Sequence, residues 1–396
     1  MTKENPKQNR LNRRDFNRIA SLAVGNIALW ACTRRNPFAN PEIEGPDTNN
    51  AVTENHDQNN GHKGIDTTFG NEEETKKTYL EKYIYPALTK VAMEKRQSKA
   101  KKDREYWRRV DKELNEGRLN FALLGIGTEG SLTDSIQIIS LSTETNEMEI
   151  IALQRDMWAP EITKVTGNQR PYRINQAHYL TGMEKTGEIL ENATGLSADF
   201  VVVMKQDVLL NAVDKVFGND LLVDLPWDVP AKTAYFSKGQ QLLDKDQVLR
   251  VARERYYLNN SARNTIQQLI IAAMIEEAAT DLSGDLLSAG SFINRALSFY
   301  EEETNAGNIE TNFNDGIFLN LGVEMSKEIL TNIKDLNANG FGIPKIKGNY
   351  EVKVEHAGDP YDPYRLKPID GDPNADDLVT NFWHEAREEV RNFLEK

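Results

Sequence analysis

The chain has one cysteine, Cys32, among 396 residues, so it cannot close an internal disulfide. It has only five histidines. None falls in a metal-binding spacing such as HExxH, and no Ser-His-Asp arrangement is readable. Basic residues are outnumbered, with 48 Lys and Arg against 61 Asp and Glu, which leaves a net charge of −13. Phosphate backbones are gripped by clustered Lys and Arg on a basic surface, so nucleic acid is not expected as a partner. The apolar run from Ile19 to Ala31 is too short for a bilayer core, which takes roughly 20 helical residues. No internal repeat is present. What remains is a hydrophobic content of 39 %, enough for one large core or two smaller ones.

The N-terminus reads as an export signal over residues 1–31, with a basic start, a weakly apolar stretch and then Cys32. Arg13-Arg14 followed by Phe16 resembles the twin-arginine signal, although Asn12 and Asn17 depart from its usual Ser and Leu. Leu29-Trp30-Ala31-Cys32 resembles a lipoprotein processing site, which makes Cys32 the expected lipidation site and a lipid anchor the expected membrane contact. Residues 32–74 are rich in Asn, Asp, Thr, Pro and Gly and read as a disordered tether, with His56 and His62 solvated in it. Residues 75–117 are charged and helix-prone, with Tyr79, Tyr83, Leu88, Val91 and Ala92 as a narrow apolar stripe. This segment reads as a helical spacer whose basic cluster, "KRQSKAKKDREYWRR", is a solvated face or touches anionic lipid.

The folded domain is expected over residues 118–290. "LNFALLGIG", "SIQIISL", "MEIIALQ", "DFVVVMK" and "LLVDLP" are short apolar runs of strand type, the later ones separated by helical intervals. The fold class is therefore α/β, a mixed central sheet flanked by helices on both faces. Within "TDSIQIISLSTETNEMEIIALQRD" a turn at Ser142 to Glu147 pairs Leu141 with Met148, and the same register sets Asp134 opposite Arg155. Both charges then sit at one end of the sheet, beside the glycine-rich end of the preceding strand, and ends of strands in open α/β sheets commonly bind ligands. Arg253 and Arg255 share a side if the chain is extended there, while Arg263 and Gln267, four apart, share a helix face. Arginine forks and a helix N-terminus together suit phosphate or pyrophosphate.

The order "LLGIG", "TDSIQIIS", "IIALQRD", "RINQAHYLTG", "VDKVFGNDLLVDLP", "FSKGQQLLDKDQVLRVARER" and "ARNTIQQ" resembles the LytR-CpsA-Psr family over roughly residues 119–275. The resemblance implies an extracytoplasmic phosphotransferase of α/β/α fold, acting at the outer face of the cytoplasmic membrane. Its donor would be a polyprenyl-pyrophosphate-linked glycan, its acceptor peptidoglycan or another surface polymer, and its cofactor Mg²⁺ or another divalent cation. It implies that Asp134 binds the metal or a phosphate-bound arginine, and that Arg155 binds phosphate with Asp156 as its companion. Arg253 and Arg255 would surround the pyrophosphate, and Arg263 and Gln267 would open the next helix beside it. Asp134 or Asp156 is the nearest base for an acceptor hydroxyl. The implied prenyl tunnel would be lined around Leu269 to Ile275, a run that reads equally as ordinary core. Met274, Phe292 and Phe299 carry no separate signal.

The chain departs from the family pattern at Gly127, Leu132, Asn260 and Ile266, where the resemblance leads one to expect an acid, an arginine, an acid and an arginine. Phosphate-binding groups are largely kept, and acidic ones are thinned. The alternative function is therefore a non-catalytic lipoprotein that binds polyprenyl phosphate or an anionic glycan. Residues 291–396 read as a C-terminal helical region and extension, ending in an amphipathic helix with Val379, Phe382, Trp383, Ala386, Val390 and Phe393 at helical spacing.

Overall fold

The computed structural model describes residues 77–78, 80–127, 132–168, 171–231, 234–254, 258–283, 286–312, 344–357, 365–372 and 377–396. The export signal, Cys32, the tether, Tyr79 and Arg255 lie outside the described residues.

The apolar runs become strands whose two-residue period divides them between two cores. In β1 (Arg118–Ile126), Leu119, Phe121 and Leu123 face one side while Ala122 and Leu124 face the other. The same division holds in β2 (Thr133–Ser142), β3 (Glu147–Ala152) and β4 (Phe200–Lys205). With β9 (Ile309–Thr311) and β10 (Lys345–Glu351) they form a six-stranded sheet in the order β10-β3-β2-β1-β4-β9. The sheet is mixed: β1 runs parallel to β4 and β3 to β10, and the other neighbours are antiparallel.

The hairpin register is the one expected, with Leu141 opposite Met148. Pairing extends to Ser142 and Glu147, so the turn contracts to Thr143–Asn146, with Asn146 at φ 54°. The run "LLVDLP" is corrected. It forms β5 (Asp220–Leu225), which leaves the central sheet and pairs with β8 (Gly239–Asp244) in a separate two-stranded sheet, while β6 (Val229–Ala231) and β7 (Ala234–Phe236) between them pair with each other.

Helices cover both faces. The first core takes in α1 (Tyr85–Lys102), α5 (Gln206–Lys215), α6 (Lys245–Arg253), α7 (Asn260–Ser283) and α8 (Leu286–Asn305). The second takes in α3 (Pro160–Thr166), α4 (Ala177–Thr194) and α9 (His384–Leu394). A single turn, α2 (Tyr106–Arg109), follows α1.

Residues 75–117 are not a spacer in the described part. Tyr85, Leu88 and Ala92 are buried, and Arg96 makes two bonds of 2.7 and 2.6 Å to the buried Asp199 at the entrance of β4. Burial works against the Arg96 cation, but the Asp199 charge and hydrogen bonds outweigh it and hold the guanidinium protonated. Lys95, Lys99 and Arg109 of the basic cluster likewise reach inward, to the Asp199 carbonyl, Glu191 and Asp103.

The chain beyond residue 290 completes the fold, because β9 and β10 are the two edges of the sheet. The last helix begins after the expected first residues, at His384, and it docks through Ala386, Val390 and Leu394 together with Phe382 and Trp383 just before it, while Phe393 stacks on Tyr350. Trp383 Nε1 donates to Glu161 at 2.6 Å and Asn192 to the same oxygen at 2.8 Å. Burial pushes the Glu161 carboxyl above its usual range despite these donors.

Candidate active site

The site lies where β1 and β4 end. Gly127 N–H donates to the Leu132 carbonyl at 3.0 Å, closing the β1–β2 link, and Asp134 follows at the start of β2. Arg155, three residues past β3, donates from Nη1 to Asp134 Oδ1, which is the pair expected from the hairpin register. A Cβ at Gly127 would stand 3.1 Å from Asp134 Oδ2, so a side chain at this position would stand beside Asp134.

The next residue, Asp156, is buried, and its carboxylate accepts from Arg173 at 2.6 Å and lies 3.7 Å from Arg155 Nε. Arg173 and Arg365 are additions that the sequence did not single out. Arg365 is buried with its guanidinium 4.5 Å from the centre of the Trp158 ring. Burial, with the Arg173 charge behind it, lowers the Arg365 guanidinium to about 10. Arg173 opens the quoted segment "RINQAHYLTG", which was a signal available in the sequence; Arg365 sits in a Pro- and Asp-rich stretch and had none.

Helix α7 brings Arg263 and Gln267 to the same end. Its start is capped by Asn259, whose side chain accepts from Ala262 N at 2.8 Å. Glu351, opposite Ala152 in the β3–β10 ladder, accepts from Ser261 and from Asn264, which ties the helix N-terminus over the end of β3. Arg263 is buried one turn in, and Gln267 donates to the Ala252 carbonyl at 3.3 Å. The extended reading around Arg253 is corrected. Asp244 and Gln247 form a capping box that starts α6, the helix runs through Arg253, and Arg253 is exposed at its end.

An apolar pocket of about 140 Å³ opens beside Asp134, between the sheet and helices α5, α7 and α8. Leu123, Val202, Ile270, Met274, Ile275 and Phe299 are among its lining residues, so Met274 and Phe299 do belong to a cavity. Its polar lining includes Asp134, Ser135, Gln137, Gln206 and Gln267. The side-chain carbonyls of these three glutamines are buried without a hydrogen-bond partner among the described residues. Buried polar atoms normally have partners, so this wall suits a ligand that is mostly apolar and brings polar groups of its own.

Residues 82–357 match the model of the LytR_cpsA_psr family. The chain belongs to the LytR-CpsA-Psr family. Among LytR-CpsA-Psr relatives, the polyisoprenyl-teichoic acid–peptidoglycan teichoic acid transferase TagU of Bacillus cereus is 26 % identical over 180 residues, 43 % of this chain and 57 % of that protein. TagV of Bacillus subtilis, of the same descriptive name, is 27 % identical over 208 residues, 48 % of this chain and 49 % of that protein. The chain thus spans about half the length of the curated relatives it matches. The crystal structure of B. subtilis TagV superposes with a TM-score of 0.47 at 20 % identity, covering 71 % of this chain and 98 % of that one. That of B. subtilis TagU gives 0.45 at 16 % identity, covering 70 % and 97 %.

Among the described residues no group of three or more His, Cys, Asp or Glu side chains could hold a metal ion, and no helix is long and apolar enough to cross a membrane. Mg²⁺ is commonly held by one or two carboxylates together with substrate phosphates and water. Asp134, with Oδ2 turned toward Gly127 at the mouth of the pocket, fits as a single protein ligand of that kind.

Proposed function

We propose that this chain is an extracytoplasmic phosphotransferase that moves a glycopolymer from a polyprenyl-pyrophosphate carrier to peptidoglycan or another cell-surface acceptor. The observation that carries the reading is that Asp134, which lines the apolar pocket, is paired with Arg155, so a greasy slot has a phosphate-binding fork next to its wall. The relatives' descriptive names point the same way.

In this reading an acceptor hydroxyl attacks the phosphorus that bears the glycan. A new P–O bond forms, the bridging P–O bond of the pyrophosphate breaks, and polyprenyl monophosphate leaves. The hydroxyl proton passes to Asp134. Arg155 and Arg263 neutralise charge growing on the phosphoryl oxygens, with the N-terminus of α7 adding to the positive field, and Arg253 and Arg255 serve as further phosphate ligands. A divalent cation such as Mg²⁺, when bound at Asp134, supplies additional charge neutralisation. Asp156 keeps Arg155 in place. The twin-arginine motif at Arg13-Arg14 and lipidation at Cys32 would set the domain against the outer face of the cytoplasmic membrane.

The second reading is a binding lipoprotein without turnover, favoured by Gly127, Leu132 and Asn260. Mass spectrometry separates the two. The purified protein is incubated with a polyprenyl-pyrophosphate oligosaccharide and an acceptor glycan, with and without Mg²⁺, beside Arg155→Ala. Metal-dependent transfer lost in the variant supports the transferase; retained prenyl ligand with no product in any condition supports the binding protein.

A further inference from the structure

We infer that Arg173 is a positioning residue that acts on Arg155 through Asp156, leaving Asp134 as the exchangeable partner of Arg155 and Asp156 as the fixed one. The inference rests on the phosphotransferase reading and assigns a role to a residue that reading does not use. Four charges alternate in a row: Arg173, Asp156, Arg155, Asp134.

The two acids in this row differ in setting. Asp134 has a side chain 27 % exposed at the pocket mouth, whereas that of Asp156 is 9 % exposed and is bonded to Arg173 at 2.6 Å. The backbone around Asp156 is pinned from both sides. Asn175 N–H donates to the Arg155 carbonyl at 3.2 Å, and Ile174 N–H to that of Met157 at 2.7 Å. From the other side Leu366 N–H donates to the Asp156 carbonyl at 3.0 Å, and the Leu366 carbonyl accepts from Trp158 N–H at 2.7 Å.

An incoming pyrophosphate competes with both carboxylates for the Arg155 fork. The exposed Asp134 regains water when it lets go. The buried Asp156 would not, and a buried charge that loses a partner is costly, so its bond to Arg173 keeps it from drawing Arg155 away from the phosphate. The displaced Asp134 is then available for a proton or a cation. Outer partners that orient a ligating group are commonly worth 10–100-fold in affinity or activity in metal sites, and the logic is the same here.

Calorimetric titration of the full chain with inorganic pyrophosphate and Mg²⁺ tests this, with melting temperatures recorded for each variant. Arg173→Gln is expected to weaken binding about tenfold and Arg173→Lys to restore part of it. In an Asp156→Asn background, Arg173→Gln should add no further loss of binding, because Arg173 reaches Arg155 through that acid. Losses that add in full, or a lowered melting temperature with unchanged affinity, would overturn the inference. Should Arg173→Gln not fold, a loss in Arg173→Lys smaller than that in Asp156→Asn supports it, and equal losses in the two overturn it. Absence of any binding by the wild type sinks the functional reading and this inference together, while wild-type binding left untouched by Arg173→Gln sinks only this one.

Discussion

The central sheet carries an arginine–aspartate pair at each end, and the two are built differently. At the entrance of β1 and β4, Arg96 and Asp199 are almost fully enclosed, with side chains 5 % and 0 % exposed. Arg96 also donates to the carbonyls of Asn115 and Arg118 at 2.8 Å each, and Asp199 accepts from Ser197 and from Asn120 N–H. At the exit of the same strands, Arg155 and Asp134 are 17 % and 27 % exposed, Asp134 lines the pocket, and Arg155 Nε has no hydrogen-bond partner among the described residues. The first pair is saturated and holds α1 to the sheet. The second keeps unused bonding capacity, which is what a group that must change partners needs. Ligands bind at the carboxyl ends of strands in open α/β sheets, and the capacity is at that end.

Substitutions at the two ends should therefore separate stability from activity. The largest effect expected is on Arg96→Ala, which strands the buried Asp199 and should cost about 3–5 kcal/mol in denaturant unfolding. Whatever of that variant folds should still bind pyrophosphate normally. Arg155→Ala is the converse: a stability change of about 0–1 kcal/mol, and transfer reduced on the order of 100-fold or more in product assays. If both variants lost stability equally, the contrast between the ends would collapse.

Smaller effects sharpen the picture of the open end. Gly127→Asp places a second carboxylate beside Asp134 and should lower the Mg²⁺ needed for half-maximal pyrophosphate binding on the order of tenfold. Met274→Trp fills the apolar slot and should weaken a short prenyl diphosphate about tenfold while leaving inorganic pyrophosphate untouched, at a stability cost of about 1–3 kcal/mol. Glu161→Gln probes the opposite face and should be the mildest. The folded-state pKa of Glu161 is raised above its ordinary 4.5, so the native state holds the proton after the unfolded chain has released it. Wild-type stability should consequently fall as pH rises from about 4.5 toward the folded pKa. The glutamine variant, keeping the acceptor for Trp383 and Asn192, should lack that fall, and its advantage in unfolding midpoint should grow as pH rises above about 4.5.

Much of the exit end was legible in the sequence because the reasoning there is local. Period-two patterning and one polar turn fix the hairpin register, and the register alone sets Asp134 against Arg155. Gln137 was a visible interruption in "SIQIIS" and proves to line the pocket. The entrance end was misread for the opposite reason. Arg96 and Lys99 look like a solvated basic face until Asp199 and Glu191, about a hundred residues later, are brought against them. Patterning also cannot say which sheet a strand joins, and β5 pairs outside the central one. Likewise nothing in a Pro- and Asp-rich stretch announces that Arg365 will stack on Trp158.

The most direct measurement is a crystal structure of the domain with a short prenyl diphosphate bound. The headgroup should replace Asp134 as the partner of Arg155, with the prenyl tail between Ile270, Met274 and Phe299. A diphosphate seated away from Arg155, or a tail lying outside the pocket with the Asp134–Arg155 pair intact, would contradict the assignment of this end of the sheet as the carrier site.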